Sequence, residues 1–508
     1  MSNMTTTDNG SGKKAKTHKG GSKQKKLRGI SEIRSYFYQN DEPIYFVSAA
    51  CFNLLGMDDW VRKFHFINYI DCFDGIHPSV MIPSGKPERE FQSIEEINNY
   101  LLAHPEVKEF VKKHGKGKAA FLFFDEESEK LCQDLGLEIA FPSAKLRQKI
   151  DNKIMTTKIG NEAGVPSVPN ALAKVASYKD LVRLAKDHDL GDELVVQTAF
   201  GDSGHTTFFI ANEDEYKEHA EEIEKESEVK IMRRIRCRGA ALEACVTKAG
   251  TVVGPLMTEL VGFKELTPYK GGWCGNEVFA GAFSPAARDY ARASTLDVGK
   301  ALKERGYRGY FEVDYLLDLD RDKVYLGELN PRITGASSMT NLAAFAHADA
   351  PLFLFHLLEW SGMDFEFDVD ALNARWANFD NIDSWSQMVI KYTEKDVQYI
   401  TAAPKSGVWQ INDGGIAQFL RPQTHRRTVQ VSDRAFFLRI AKEGDYFYEG
   451  ADLGILVMPG RAMDDEFRLT DMAKSWIHAI RAQYAAQSID PAKVAVHPGA
   501  KSGGFKML

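Results

Sequence analysis

Residues 310–341 read YFEVDYLLDLDRDKVYLGELNPRITGASSMTN. Two strand-like runs, 310–317 and 323–329, flank the acidic turn 318–322, so the stretch reads as a β-hairpin. Side chains two residues apart on a strand share a face. Glu312 and Asp314 therefore lie together on the first strand, and Glu328 and Asn330 on the second. Antiparallel pairing sets these groups side by side, and carboxylates held that close repel unless a divalent cation lies between them. Arg332 follows on the same side if the chain stays extended. Carboxylates, an amide carbonyl and a guanidinium converging at one place suit a Mg²⁺–phosphate site. A salt-bridged polar face is the plain alternative for an isolated acidic pair; the terminal run ELNPR favours the metal site.

Upstream, between residues 30 and 150, the runs 44–47 and 119–124 read as buried parallel strands. Asp125-Glu-Glu-Ser supplies the acidic first turn of a helix. This alternation predicts a small open α/β sheet. No GxGxxG follows the first strand, so the dinucleotide fingerprint is missing. A helix is expected from about Asp151 to Gly164, and another over 177–188. Strands 193–197 and 206–210 enclose Thr198-Ala-Phe-Gly-Asp-Ser-Gly-His205, which reads as a hairpin rather than a Walker loop. Strands over 229–235 and 241–246 follow, then a Gly-rich loop at 269–276 and a helix over 285–305.

With these motifs in place, the sequence resembles the ATP-grasp superfamily over roughly residues 40–365. Its metal-ligand pattern, V-D/E-F and then E-x-N-P-R, matches Val313-Asp314-Tyr315 and Glu328-Leu-Asn-Pro-Arg332. The resemblance implies Asp314, Glu328 and Asn330 as Mg²⁺ ligands, Glu312 as the alternative in a shifted register, and Arg332 at the transferred phosphate. It implies a phosphate role for Lys153 and for the hairpin residues Gly201, Ser203, Gly204 and His205. It puts the adenine hinge at Met232-Arg233-Arg234-Ile235 and a carboxylate near the nucleotide at Glu243. Most members carry a second lysine before the Gly-rich hairpin, where this chain has Gln197, and the hinge lacks the usual acidic residue. Arg233, Lys264 and Lys270 are the candidates to replace the missing charge.

The domain order looks most like the biotin-carboxylase branch: a basic tail (1–29), an N-terminal open parallel α/β domain (30–150), an ATP-grasp domain of α+β character (151–365) and a C-terminal β-rich domain (366–508). The chemistry of that branch does not carry over. Ala336 stands where biotin carboxylases have their glutamate base, Lys391 falls where they have an arginine, and no A-M-K-M carrier motif occurs. The resemblance thus implies a carbon–nitrogen ligase that uses ATP and Mg²⁺, two ions with Mn²⁺ as a substitute, and works through an acyl-phosphate. Its partners are a small-molecule carboxylate and an amine. Thr334, Ser337, Lys264, Trp273 and Asn276 are candidate substrate contacts; packing or helix capping is the competing role for the Thr, Ser, Trp and Asn. A biotin-carboxylase-type carboxylase and a non-catalytic nucleotide-binding protein are the rivals. Oligomeric state stays open, with a homodimer common in similar architectures.

Composition bounds the rest. The chain has 508 residues, 44% hydrophobic and 27% charged, which fits about three soluble domains. No apolar run is long enough to span a bilayer. The scattered cysteines and the lack of an apolar leader favour the cytoplasm. Residues 1–29 carry seven Lys and one Arg against one Asp, so the net −7 conceals −14 over the remainder. That balance argues against nucleic acid as the partner. The tail, with one Leu and no aromatic, is expected to be disordered.

Overall fold

The computed structural model describes residues 26–85, 91–200, 206–342, 349–425, 429 and 431–489. The tail up to residue 25 and the hairpin residues Gly201, Ser203, Gly204 and His205 lie outside them. Among the described residues no helix is long and apolar enough to cross a membrane.

Ile44–Ser48 is buried along its whole length and lies between the parallel strands Phe64–Asn68 and Lys118–Phe121. Val80–Met81 and Glu138–Ile139 complete this five-stranded parallel sheet at its two edges. The helix Glu126–Leu135 begins on a reciprocal cap, in which Asp125 accepts from the Ser128 amide at 2.8 Å and Ser128 Oγ accepts from the Asp125 amide at 3.3 Å. The apolar run expected to stay in the strand through 124 leaves the sheet after Phe121. Phe123 and Phe124 instead lie beneath arginines, with the Arg147 guanidinium 5.1 Å from the Phe124 ring centre. The tail expectation also needs correction at its end. Leu27 is buried, and Leu27–Arg28 pairs with Phe365–Glu366, because this lone apolar residue finds a strand edge to pack on.

The next unit is a four-stranded antiparallel sheet, in the order Asn170–Ala173, Val229–Arg233, Leu194–Gln197, Thr207–Ile210. One face packs on its own helices through Ile231, Val196 and Phe208 against Leu181, Ala185 and Ile223. The other carries Val195 and Met232, which with Val168 meet Leu316 and Tyr325 of the larger sheet.

That larger sheet has ten antiparallel strands. It begins with Lys323–Asn330, Gly309–Asp318, Cys237–Val246, Thr251–Val261 and Trp273–Val278. It continues without a break through Trp385–Lys391, Asp452–Pro459, Arg434–Arg439, Gly407–Ile411 and Ala417–Arg421. The join falls where a Gly-rich loop was expected. Trp273–Val278 is a strand because Thr251–Val261 and Trp385–Lys391 offer it a ladder on both sides. Gly275 makes this possible: its φ is +139° and a Cβ would sit 2.0 Å from the Gln387 carbonyl oxygen. Trp273 and Asn276 are therefore strand residues, not loop residues. The helix Pro285–Glu304 covers the sheet from one side, and Phe353 and Phe355 of the helix Leu352–Trp360 are fully buried core. The class is thus α/β at the N-terminus, mixed in the centre and β-rich after it.

Candidate active site

The hairpin register, shifted by one residue between Asp314 and Tyr315, sets Glu312 opposite Asn330 and Asp314 opposite Glu328. Asn330 donates from Nδ2 to Asp314 Oδ2 at 2.9 Å, and its Oδ1 accepts from Arg332 Nη2 at 2.7 Å. Arg332 also bonds Asp151 at 3.1 Å and lies 4.4 Å above the Phe123 ring centre. Asp151 meets Arg147 at 3.3 Å on its other flank. The chain turns after Asn330 into a segment held by the N-terminal domain, where Asn53 donates to the Thr334 carbonyl at 2.7 Å.

Lys153 enters from a different element. Asn152 caps the helix Lys153–Ala163 by accepting from the amides of Ile154 and Met155. The side chain of Lys153 then reaches Glu328 Oε1 at 2.5 Å. Burial, and then the neighbouring carboxylates, push Glu312 and Asp314 well above the ordinary carboxylate range. Burial alone would lower Arg332, but Asp151, Glu328 and Glu312 hold it above its ordinary value.

Among the described residues, no three His, Cys, Asp or Glu side chains stand close enough to cage a metal ion as they are now bonded. The donor set nonetheless fits Mg²⁺ in kind. Asp314, Glu328 and the Asn330 carbonyl are hard oxygens on one sheet face, crowded with like charge that a divalent cation would offset.

Beyond the acidic row, toward Leu316, the face becomes apolar. Val168, Val195 and Met232 are buried, with Ile235, Leu316 and Tyr325 half-buried around them. These side chains meet as an apolar layer between the two sheets, the kind of lining a flat aromatic base would need. Of this group Met232 and Ile235 fall in the hinge expected from sequence; Val168, Val195, Leu316 and Tyr325 look like ordinary core residues until the two sheets face each other. Arg233 and Arg234 point elsewhere. Arg233 bonds the Asp189 carbonyl at 2.5 Å, and Arg234 lies 3.5 Å from Glu193 and over the Phe209 ring.

Gln197 is half-buried and donates to Thr207 Oγ1 at 3.1 Å across its own hairpin. Directly opposite it on the neighbouring strand is Lys230, a residue that no motif in the sequence points to. Lys230 is fully buried, and its ammonium has no hydrogen-bond partner among the described residues.

Several anticipated contacts have other partners. Glu243 is fully buried and accepts from Tyr310 (2.6 Å), Thr334 (3.1 Å), Ser337 (2.5 Å) and Thr340 (2.5 Å). It stands opposite Glu312, farther from the apolar layer than Asp314. Burial raises it, although the four hydroxyls work in the other direction. The side chains of Thr334 and Ser337 are thereby turned inward, as bracing beneath the Arg332 turn. Trp273 and Asn276 do come near that turn. Trp273 donates to Asn276 at 3.2 Å and lies over Gly335, where a Cβ would be 2.4 Å from the indole. Gln387 links Asn276 (3.3 Å) to the Gly335 carbonyl (2.7 Å). Lys264 is exposed. Lys391 forms a buried pair with Asp452 at 2.5 Å. One carboxylate was missed altogether: Glu259, opposite Asn276, shares the acidic face and lies over Gly239, whose lack of a side chain admits it. Burial and then Glu328 push it up to about 7.

A small antiparallel sheet closing over an acidic hairpin, with a parallel α/β unit before it and a β-rich extension after it, is the ATP-grasp fold in its biotin-carboxylase arrangement. The structure is similar to biotin carboxylase of Campylobacter jejuni in a β,γ-ATP complex, with a TM-score of 0.59 and 13% identity over 88% of this chain and 92% of that one. It is similar to the biotin carboxylase domain of 2-oxoglutarate carboxylase from Hydrogenobacter thermophilus, a dimer with MgADP, ADP and bicarbonate (TM-score 0.54, 13% identity, 88% and 91% covered). It is also similar to N5-carboxyaminoimidazole synthase of Aspergillus clavatus with ADP and aminoimidazole ribonucleotide (TM-score 0.52, 13% identity, 83% and 94% covered). No protein-family model and no curated protein matches the sequence.

Proposed function

We propose that this chain is an ATP- and Mg²⁺-dependent carboxylate–amine ligase that works through an acyl-phosphate on a small metabolite or amino acid. One observation carries the reading: Lys153, Asp314, Glu328, Asn330 and Arg332, from three separate segments, converge beside an apolar layer between the two sheets. The base enters between Val195, Met232 and Leu316, and the triphosphate runs toward Lys153. A carboxylate oxygen of the first substrate attacks the γ-phosphorus, the bond to the β,γ-bridging oxygen breaks, and ADP is released. The amine then attacks the acyl carbon, inorganic phosphate leaves, and the nitrogen loses a proton.

ATP and a carboxylate repel, so the protein's task is positioning and charge compensation. Arg332, held flat against Phe123 and braced by Asp151, presents a fixed fork to the transferred phosphoryl group. Asp314, Glu328 and Asn330 would hold Mg²⁺, which supplies further neutralisation of phosphate charge when bound. Trp273, Asn276 and Gln387 line the side on which the second substrate would approach. Ala336, buried beside this turn, leaves the branch's usual base unfilled, which favours amide formation over bicarbonate chemistry. The same reading includes domain limits near 150 and 365 and a homodimer, with one sheet continuous across the second limit.

Phosphate release from MgATP, measured across a panel of amino acids singly and in pairs, tests the proposal. Release that needs both a carboxylate and an amine, and that Glu328→Ala abolishes, is the expected result. Release stimulated by bicarbonate and biotin instead would replace the ligase reading with the carboxylase.

A further inference from the structure

We infer that Lys230 is a phosphate-binding lysine of this site, moved one strand over from the position that Gln197 occupies. The inference rests on the ATP reading above and assigns a residue to it. Leu172, Lys230, Gln197 and Thr207 form one row across the small sheet. Neighbouring strands lie about 4.8 Å apart, a displacement that the flexible stem of lysine spans. Met232 and Val195, on the same face two residues along, belong to the apolar layer. Two residues of strand cover about 6.6 Å, which takes the chain from base to phosphates.

The state of the ammonium supports this. Lys230 is fully buried without a hydrogen-bond partner among the described residues, and the charges of Glu328 and Lys153 act on it. Burial lowers it to about 8. An unpaired buried ammonium is unfavourable in a resting fold. Its presence makes sense if an anion arrives. Lys153 already has Glu328, and Gln197 is turned to Thr207, so Lys230 is the cation of this row that the described residues leave unbonded. Arg233, Lys264 and Lys270, the candidates from sequence, are exposed or bonded elsewhere.

The test is nucleotide titration calorimetry on the full chain with MgATP and with adenosine. In Lys230→Met, MgATP affinity should fall about thirtyfold or more, while adenosine affinity is unchanged and the melting temperature of the nucleotide-free protein holds or rises. Adding Gln197→Lys to Lys230→Met should restore most of the MgATP affinity. Unchanged MgATP binding, equal loss for adenosine, or unfolding of Lys230→Met would each overturn the assignment, the last because it would make the ammonium a structural support. If the unmodified protein binds no MgATP, the ATP reading itself fails, a result separate from failure of the lysine alone.

Discussion

Lys153 Nζ lies 2.5 Å from Glu328 Oε1, tying the first turn of a helix to the end of a strand 175 residues later. Each bonds the other here, and the proposed reading gives both a second partner. On binding, the ammonium would pass to phosphate and the carboxylate to the metal. Lys153→Met is therefore expected to weaken MgATP binding, whereas Glu328→Gln should lower turnover by about 10²–10³-fold, the usual loss when one stabilising contact to developing charge is removed. ATP titration and phosphate release on the two variants separate these effects.

Arg332 has a planar fork bonded to Asp151 and Asn330 and stacked on Phe123. Lysine keeps the charge and loses the fork. Arg332→Lys should cut kcat by about 10²-fold and leave the melting temperature nearly unchanged. Steady-state kinetics with a melting curve on the same sample checks it.

Glu243 sits at the centre of four hydroxyl donors beneath the Arg332 turn. Glu243→Leu leaves those hydroxyls unpaired in the interior and should cost about 3 kcal/mol of stability. Denaturant unfolding measures this. A stable Glu243→Leu protein with weakened nucleotide binding would instead return Glu243 to the nucleotide.

Gly275 joins the two halves of the long sheet at a positive φ, with the Gln387 carbonyl in the space of a side chain. Gly275→Ala should destabilise the chain by about 1–3 kcal/mol. A companion, Gly271→Ala, meets no atom within 4 Å and should be tolerated. Thermal melts of the pair compare them.

Two histidines, His356 fully buried and His65 partly so, set an acid limit. Burial lowers His65 to about 4 and His356 to about 3, and His356 Nδ1 accepts from the Tyr310 amide at 2.9 Å. Their folded values lie below the unfolded ones, so the unfolded chain binds protons that the native state refuses. Stability should fall as pH drops below about 6.5, and the His356 contribution should level off below about 3. Unfolding free energies for His356→Gln and the parent, compared between pH 7 and pH 4, should converge toward low pH.

Local order set much of what could be read beforehand. Alternation along 310–330 puts Glu312 with Asp314 on one face of the first strand and Glu328 with Asn330 on one face of the second, and the register shift between Asp314 and Tyr315 brings the two pairs onto the same face. Asn152 and Gly164 bound the Lys153 helix by capping preferences that act within a few residues. Buried strands 44–48 and 118–121 announced themselves by composition.

What stayed hidden depends on partners distant in the chain. Lys230 reads as one more lysine in an edge-like run until its strand is paired with Gln197 on one side and Leu172 on the other. Trp273–Val278 reads as a loop until two flanking strands supply its hydrogen bonds. Glu243, Thr334 and Ser337 look like ligand contacts until burial turns them toward one another. By itself the sequence determined the acidic hairpin, the helix ends and the fold class, since periodicity and capping are short-range. Only the tertiary structure decided which charged groups face the cleft and which brace it. Burial and cross-strand pairing are properties of neighbours that the chain meets only once folded.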